Sequence, residues 1–303
     1  MKALVTGATG FLGRHLCDAL QRQDIDVVAL GSRDADLKHA NSLDAYSNEK
    51  YDYVWHLAAW TQAGDFCLHH QGEQWIINQQ INTNVLNWWK ETQPQAKLIA
   101  IGSSCCYEPG TPHTEENFLV GHPIDSLYTY AMTKRMLYVG LRALQQQFGL
   151  NYLFLIPSTM YGPHYHNDGR QMHFIFDLIR KISNGVHRGN QVSLWGDGSQ
   201  RRELIYVRDF VDAAASLATT HKNEIINIGS GESLSIKHYA ESLCEMLDYN
   251  PHKIFYDTSK YSGAQDKVLI IDKLRSMRPE FEATPLEAGL AETVRWFEET
   301  FHP

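Results

Sequence analysis

The sequence predicts an α/β protein, a doubly wound parallel sheet followed by a smaller α+β lobe. Three observations predict it. Short apolar runs alternate with helix-spaced segments over roughly the first half of the chain, as βαβ units require. The first run ends in a glycine-rich turn that opens directly into a helical segment. After Pro157 the alternation breaks, and residues 161–170 gather Gly, His, Pro and Asn.

Residues 2–6 form a short apolar run of the kind that fills a buried parallel strand. Residues 11–21 carry apolar side chains at 11, 12, 16, 17 and 20, which is helical spacing. Strands are predicted at 26–30, 53–57, 97–101 and 152–156, and helices at 73–89 and 128–148. Beyond Pro157, 161–170 reads as a loop, 171–183 as a helix, 196–200 as a turn and 203–206 as a strand. Helices are predicted at 208–219 and 236–247. Thr284-Pro285-Leu286-Glu287 opens the last helix, with Thr284 as cap and Glu287 reaching back to close a capping box. The expected division is 1–160 for the sheet domain, with about 204–230 returning to it, and 161–303 mainly for the second lobe. No repeat and no low-complexity tract interrupts the chain.

Composition excludes several classes. The chain has 303 residues, 43% hydrophobic and 20% charged, enough to bury a core without disulfides or metal. A net charge of −8 argues against nucleic acid or an anionic membrane as partner. Five cysteines at 17, 67, 105, 106 and 244 make neither a disulfide framework nor a metal signature, so a reducing, cytoplasmic setting is expected. The apolar start breaks at Thr6-Gly7, unlike a signal peptide, and no run approaches the ~20 apolar residues of a membrane span. The Trp88-Trp89 pair reads as packing.

Thr6-Gly7-Ala8-Thr9-Gly10-Phe11-Leu12-Gly13 stands between the first strand and the first helix. Gly7 permits a tight turn, Gly10 lets backbone approach a pyrophosphate, and Gly13 allows close helix–strand packing. The helix N-terminus adds free N–H groups and a positive dipole for the phosphates. This is a Rossmann-type dinucleotide site. At the end of the second strand, Leu30-Gly31-Ser32-Arg33 lacks the acid that holds an NAD ribose, and Arg33 can meet a 2′-phosphate. NADP(H) is therefore favoured over NAD(H), with Asp36 available to the adenine side.

Tyr130 and Lys134 lie one turn apart on one helix face. A neighbouring ammonium is expected to lower the phenol pKa, fitting Tyr130 to exchange a proton with an alcohol or ketone. Ser103, in Gly102-Ser103-Ser104-Cys105-Cys106-Tyr107, falls at the carboxyl end of a strand, where ligands of open parallel sheets bind. It can hydrogen-bond a substrate carbonyl.

With these residues the chain resembles the extended short-chain dehydrogenase/reductase family of nucleotide-sugar enzymes. The resemblance extends through His56-Leu57-Ala58-Ala59, Asn78 with Asn84, Tyr161-Gly162-Pro163, Trp195-Gly196-Asp197-Gly198-Ser199 and Arg208-Asp209, over almost the whole chain. It implies a homodimer, formed through a bundle that includes the Tyr130 helix, and a C-terminal lobe that holds a nucleotide-diphosphate sugar. It also implies cofactor contacts from Thr9, Phe11, Leu12, Leu57, Ala58, Ala59, Lys134 and Pro157, and substrate contacts from Ser104, Thr159, His173, Trp195, Arg202 and Lys267.

Within the family the chain is most similar to the subgroup that reduces a GDP-4-keto-6-deoxy sugar at C4 with NADPH and epimerises C3 and C5. Gly-Ser-Ser-Cys-x-Tyr, Tyr161-Gly162-Pro163-His164, Arg202-Glu203-Leu204 and Arg33-Asp34 carry that likeness. Cys105 and His173 fall at the positions of its epimerisation pair. Thr159 stands where the subgroup commonly has asparagine, and Cys106 where it has an aliphatic residue. Arg202 and Lys267 can pair with the diphosphate. His56 reads equally as a core residue or a neighbour of the cofactor. A C4-epimerase or 4-dehydrogenase with retained NAD(H) is the alternative. The intact Tyr130, Lys134 and Ser103 set speaks against a non-catalytic cofactor sensor.

Overall fold

The computed structural model describes residues 1–166, 168, 170–259 and 267–302. The chain begins β1 (Lys2–Thr6), α1 (Phe11–Arg22), β2 (Asp26–Leu30), β3 (Tyr53–His56), α2 (Phe66–His69) and α3 (Gln71–Thr92). It continues β4 (Lys97–Ile101), α4 (Tyr128–Phe148), β5 (Tyr152–Pro157), β6 (Thr159–Tyr161), α5 (Phe174–Arg188) and β7 (Ser193–Trp195). Then come β8 (Arg201–Tyr206), α6 (Val207–Thr220), β9 (Glu224–Ile228), β10 (Ser233–Ser235) and α7 (Ile236–Met246). β11 (Phe255–Asp257), α8 (Asp272–Met277) and α9 (Leu286–Phe301) complete it.

Six strands form a sheet of order β2-β1-β3-β4-β5-β9, parallel at every pairing. The doubly wound α/β expectation holds. All six residues of β5 are buried, as expected of a strand covered on both faces, whereas the edge strand β2 exposes Asp26 and Ala29. Helix α1 packs with α6, and α3 with α4. The tryptophan pair on α3 is buried: Trp88 donates its indole N–H to Ser47 Oγ and Trp89 donates to Ala96 O.

A second sheet, β10-β8-β6, and a two-stranded pair, β11-β7, build the smaller lobe. Its core is separate from that of the large sheet and gathers Ile175, Phe176, Ile179, Tyr239, Leu243, Leu290 and Phe297. Strand β8 serves both cores. Ile205 packs into the large one, and Leu204 and Tyr206 into the small one, because successive strand residues face opposite sides.

Several elements differ from the sequence reading, which does not foresee α2, β6, β7, β9, β10, β11 or α8. Helix α5 starts at Phe174, not 171, because Gln171 is held outside it, its amide oxygen accepting from Asp65 N–H. It runs past Ser183 to a left-handed stop at Gly189. Gly185 inside it is a packing glycine, since a Cβ there would lie 2.8 Å from both Tyr249 and Val192. Thr284 is not a helix cap. Its hydroxyl donates to Asp209, its N–H does the same, and α9 begins without a side-chain cap. Residues 224–228, not predicted as a strand, supply the sixth strand of the large sheet.

Candidate active site

The glycine loop is shaped by contacts that exclude side chains. Gly7 has φ +70°, and a Cβ on it would lie 2.8 Å from Ala58 N. A Cβ on Gly13 would lie 2.3 Å from Gly7 O and 2.6 Å from Ala8 Cα. Gly10 precedes α1, whose first turn has no side-chain cap, leaving its N–H groups to an anion. Glycines where a Cβ cannot fit, at an uncapped helix start, fit a dinucleotide pyrophosphate. Thr9 lies over Gly31, and the half-buried Phe11 packs edge-on to Tyr165 and Phe176, with Leu12 beside it against the large core. Arg33 is exposed on the loop after β2. Its neighbour Asp34 is engaged by Gly31 N–H at 2.8 Å, closing the turn.

Leu57, Ala58 and Ala59 follow β3, and Leu57 and Ala58 line the turn beside Gly7. His56 is a core residue, 1% exposed. It contacts Thr6 Oγ1 through Nδ1 and Asn82 Oδ1 through Nε2, both at 3.0 Å. Burial pushes its pKa down to about 4, so the ring is neutral with its proton on Nε2 toward Asn82. Pro157 closes β5, paired with Ile228.

At the end of β4, Ser103 is extended and starts a single tight turn, Ser104–Cys106. Cys105 Sγ lies 2.6 Å from Ser103 Oγ and is half-buried. Ser104 is buried in the turn. Cys106 is fully buried and its thiol donates to Ala131 O, which makes it packing; burial holds its pKa far up. Cys17, Cys67 and Cys244 are also buried thiols, Cys17 and Cys244 both pushed up to about 11.

Tyr130 and Lys134 stand on α4 beside this turn, but not as the sequence predicts. The Lys134 ammonium donates to Ile101 O at 2.8 Å and sits 6.0 Å from the Tyr130 ring centroid. Burial pushes Lys134 down to about 8. Burial, reinforced by the nearby thiols, holds the Tyr130 phenol well above its usual value, and a hydrogen bond with Ser103 pulls only slightly the other way. Desolvation outweighs the expected pull of the lysine, and Tyr130 is a protonated donor.

The lobe residues are more dispersed. His173 precedes α5, its N–H donating to Tyr165 OH at 3.4 Å. The residue is exposed, while surrounding protein, then Lys267 and His166, hold its pKa below the usual imidazole value. Thr159 starts β6 opposite Leu204, Trp195 ends β7 with 62% exposure, and Arg202 lies on β8 opposite Leu234. Lys267 is half-buried just before Leu269. The structure thus clusters Ser103, Cys105, Tyr130 and Lys134, and links His173 electrostatically to Lys267. A cavity of about 520 Å³ opens elsewhere in the lobe among Tyr161, Tyr206, Tyr239, Arg275 and Thr284; none of the predicted catalytic, cofactor or substrate residues lines it. Sequence reasoning missed Cys67, a buried thiol in the surroundings of Tyr130, and Tyr165, which holds His173. No motif marks either one.

Among the described residues no helix is long and apolar enough to cross a membrane, and no His/Cys/Asp/Glu group is arranged for a metal. Comparison with known proteins places this geometry. A GDP-L-fucose synthase from Dictyostelium discoideum is 30% identical over 97% of this chain and 94% of its own length. A GDP-L-colitose synthase from Yersinia pseudotuberculosis is 28% identical, covering 98% of each. The crystal structure of a GDP-L-fucose synthetase from Naegleria fowleri bound to NADP superposes with a TM-score of 0.86 at 27% identity, over 99% of this chain and 95% of that one. Residues 3–229 match the model of the NAD dependent epimerase/dehydratase family, and the chain belongs to that family.

Proposed function

We infer that the protein is an NADPH-dependent reductase acting at C4 of a GDP-4-keto-6-deoxy sugar, and that the same site epimerises C3 and C5. One observation carries the reading: the hydroxyl of Ser103, 2.6 Å from the Cys105 thiol, shares the end of β4 with Tyr130 and Lys134. In this reading they serve as a carbonyl-binding hydroxyl, a proton donor and a carbon-acid base for one ketone. Relatives named for GDP-L-fucose and GDP-L-colitose synthesis support the substrate class. The NADP-bound neighbour and the exposed Arg33 support NADP(H) over NAD(H).

In this reading the six-stranded sheet binds the cofactor, with Gly7, Gly10 and Gly13 around its pyrophosphate, and the smaller lobe holds the nucleotide sugar. NADPH supplies the hydride that reduces C4. Ser103 donates to the C4 oxygen, and Tyr130, kept protonated by its surroundings, delivers the proton that neutralises it. Before that step the ketone acidifies C3 and C5. The Cys105 sulfur removes a proton from one face, and the His173 imidazole, neutral at rest, takes up a proton and returns it to the other face, restoring the carbon acid inverted. Lys134 holds the cofactor side of the cluster, and Arg202 and Lys267 meet the diphosphate. Exposed apolar side chains on α3 and α4, among them Trp75, Ile76, Met136 and Val139, support a homodimer through that face. Cytoplasmic residence fits the free cysteines.

The test is incubation with GDP-4-keto-6-deoxymannose and NADPH in deuterated water, with NMR of the product. Consumption of NADPH with deuterium at C3 and C5 is expected. Reduction without deuterium removes Cys105 and His173 from the chemistry. No turnover by protein that purifies with tightly bound NAD(H) overturns the reading in favour of a retained-cofactor enzyme.

A further inference from the structure

Glu203 is a buried carboxylate that this mechanism does not use. It lies within β8 and is 3% exposed. Its Oε1 accepts from Gly231 N–H at 2.8 Å and its Oε2 from Leu269 N–H at 2.7 Å; Ser230 N–H bonds to it as well. Three backbone donors thus converge on one carboxyl group. The surrounding chain is shaped for it. A Cβ on Gly229 would lie 2.1 Å from Oε1, and Gly231 takes left-handed backbone with φ +75°.

A second tie acts one residue further on. Asn227 Nδ2 donates to Ile270 O at 3.1 Å and to His113 O at 2.8 Å, and Tyr107 OH donates to Asn227 Oδ1 at 2.6 Å. Leu269 and Ile270 are therefore both held to buried side chains. Lys267 stands two residues before Leu269, and its charge acts on both Glu203 and His173.

We propose that Glu203 is a positioning residue for the nucleoside diphosphate: by clasping β8, the turn between β9 and β10, and the segment before α8, it sets Lys267 to meet the ligand's anionic groups. This rests on the reading that the smaller lobe holds a nucleotide-diphosphate sugar. Burial pushes Glu203 up to about 7, while the three N–H donors and Lys267 pull the other way. Replacing the acid by its amide is a severe change here. It sets an NH₂ donor against an N–H donor inside a dry site, where the unsatisfied group is costly.

The experiment reads the clasp and its consequence separately. Amide hydrogen exchange at Leu269 and Gly231 reads the clasp, and calorimetric titration with GDP reads the consequence. Glu203→Gln is expected to speed exchange at both amides and to weaken GDP binding about tenfold. NADPH affinity stays within about twofold, since no cofactor contact is touched. Glu203→Asp, which keeps the charge on a shorter arm, recovers part of the loss and covers the case in which the amide variant folds poorly. Lys267→Ala also weakens GDP binding; in that background Glu203→Gln costs less than about twofold more, because both act through one contact. Unchanged GDP affinity in Glu203→Gln, full additivity with Lys267→Ala, or an equal loss of NADPH affinity overturns the proposal. Wild-type protein that does not bind GDP overturns the functional reading and this proposal with it. Wild-type binding with an unaffected variant overturns this proposal alone.

Discussion

Tyr130 carries the plainest residue-scale consequence. Its phenol is held protonated by burial, which fits the proton donor of the proposed reaction and makes it a poor base in the resting site. Tyr130→Phe is expected to lower the reduction rate about 10²–10⁴-fold while NADPH affinity changes little, measured by stopped-flow turnover and fluorescence titration. Cys105→Ser should abolish deuterium incorporation at C3 and C5, while a ketone already inverted is still reduced; NMR of both reactions checks this. The residues of this cluster are legible in the sequence because their types and spacing are chemical requirements. The electrostatics are not. A Tyr-x-x-x-Lys pair reveals that two side chains share a helix face, but not that the Lys134 ammonium turns to Ile101 O or that desolvation outweighs it. Likewise, the core role of His56 depends on Asn82, 26 residues away.

At the scale of elements, the glycine loop depends on backbone approaching backbone. The Cβ of Gly13→Ala would be driven to 2.3 Å from Gly7 O, so α1 must lift from β1. A loss of about 1–3 kcal/mol in stability is expected from urea unfolding, with NADPH affinity falling in the same variant. Strands β1, β2 and β4 and helix α4 are legible to the residue, since unbroken apolar runs or periodicity meet clear glycine and turn boundaries. Elements fixed by long-range contacts are not. The start of α5 is decided by the tie of Gln171 to Asp65, and β9 carries Asn227 in a run that otherwise reads as apolar. The Thr284 motif has a perfect capping sequence, yet Asp209, 75 residues earlier in the chain, takes its hydroxyl.

At the scale of the whole molecule, two buried groups tilt stability with pH in opposite senses. His56 has its pKa lowered to about 4 in the folded chain, so the unfolded chain binds the extra proton between about pH 6.5 and 4. Its contribution is present above pH 6.5 and is lost as pH falls toward 4, about 3 kcal/mol in all. Glu203, raised to about 7, takes up a proton on folding and loses stability as pH rises from its ordinary value toward 7. His56→Gln should therefore remove one loss of stability toward acid and uncover the opposite slope of Glu203, measured by denaturant unfolding from pH 7.5 to about 4.5. The sequence announces a sheet domain and a second lobe, but not that they share a strand.

That shared strand limits how the protein can vary. Because Ile205 packs into the large core while Leu204 and Tyr206 pack into the small one, a one-residue insertion or deletion in β8 would turn all three side chains the wrong way at once. The smaller lobe is therefore not a cassette that can be exchanged with a relative by cutting at Pro157. A working chimera must carry β8 together with both of the faces it serves, so new sugar specificities arise more readily by replacing loop side chains than by recombining lobes.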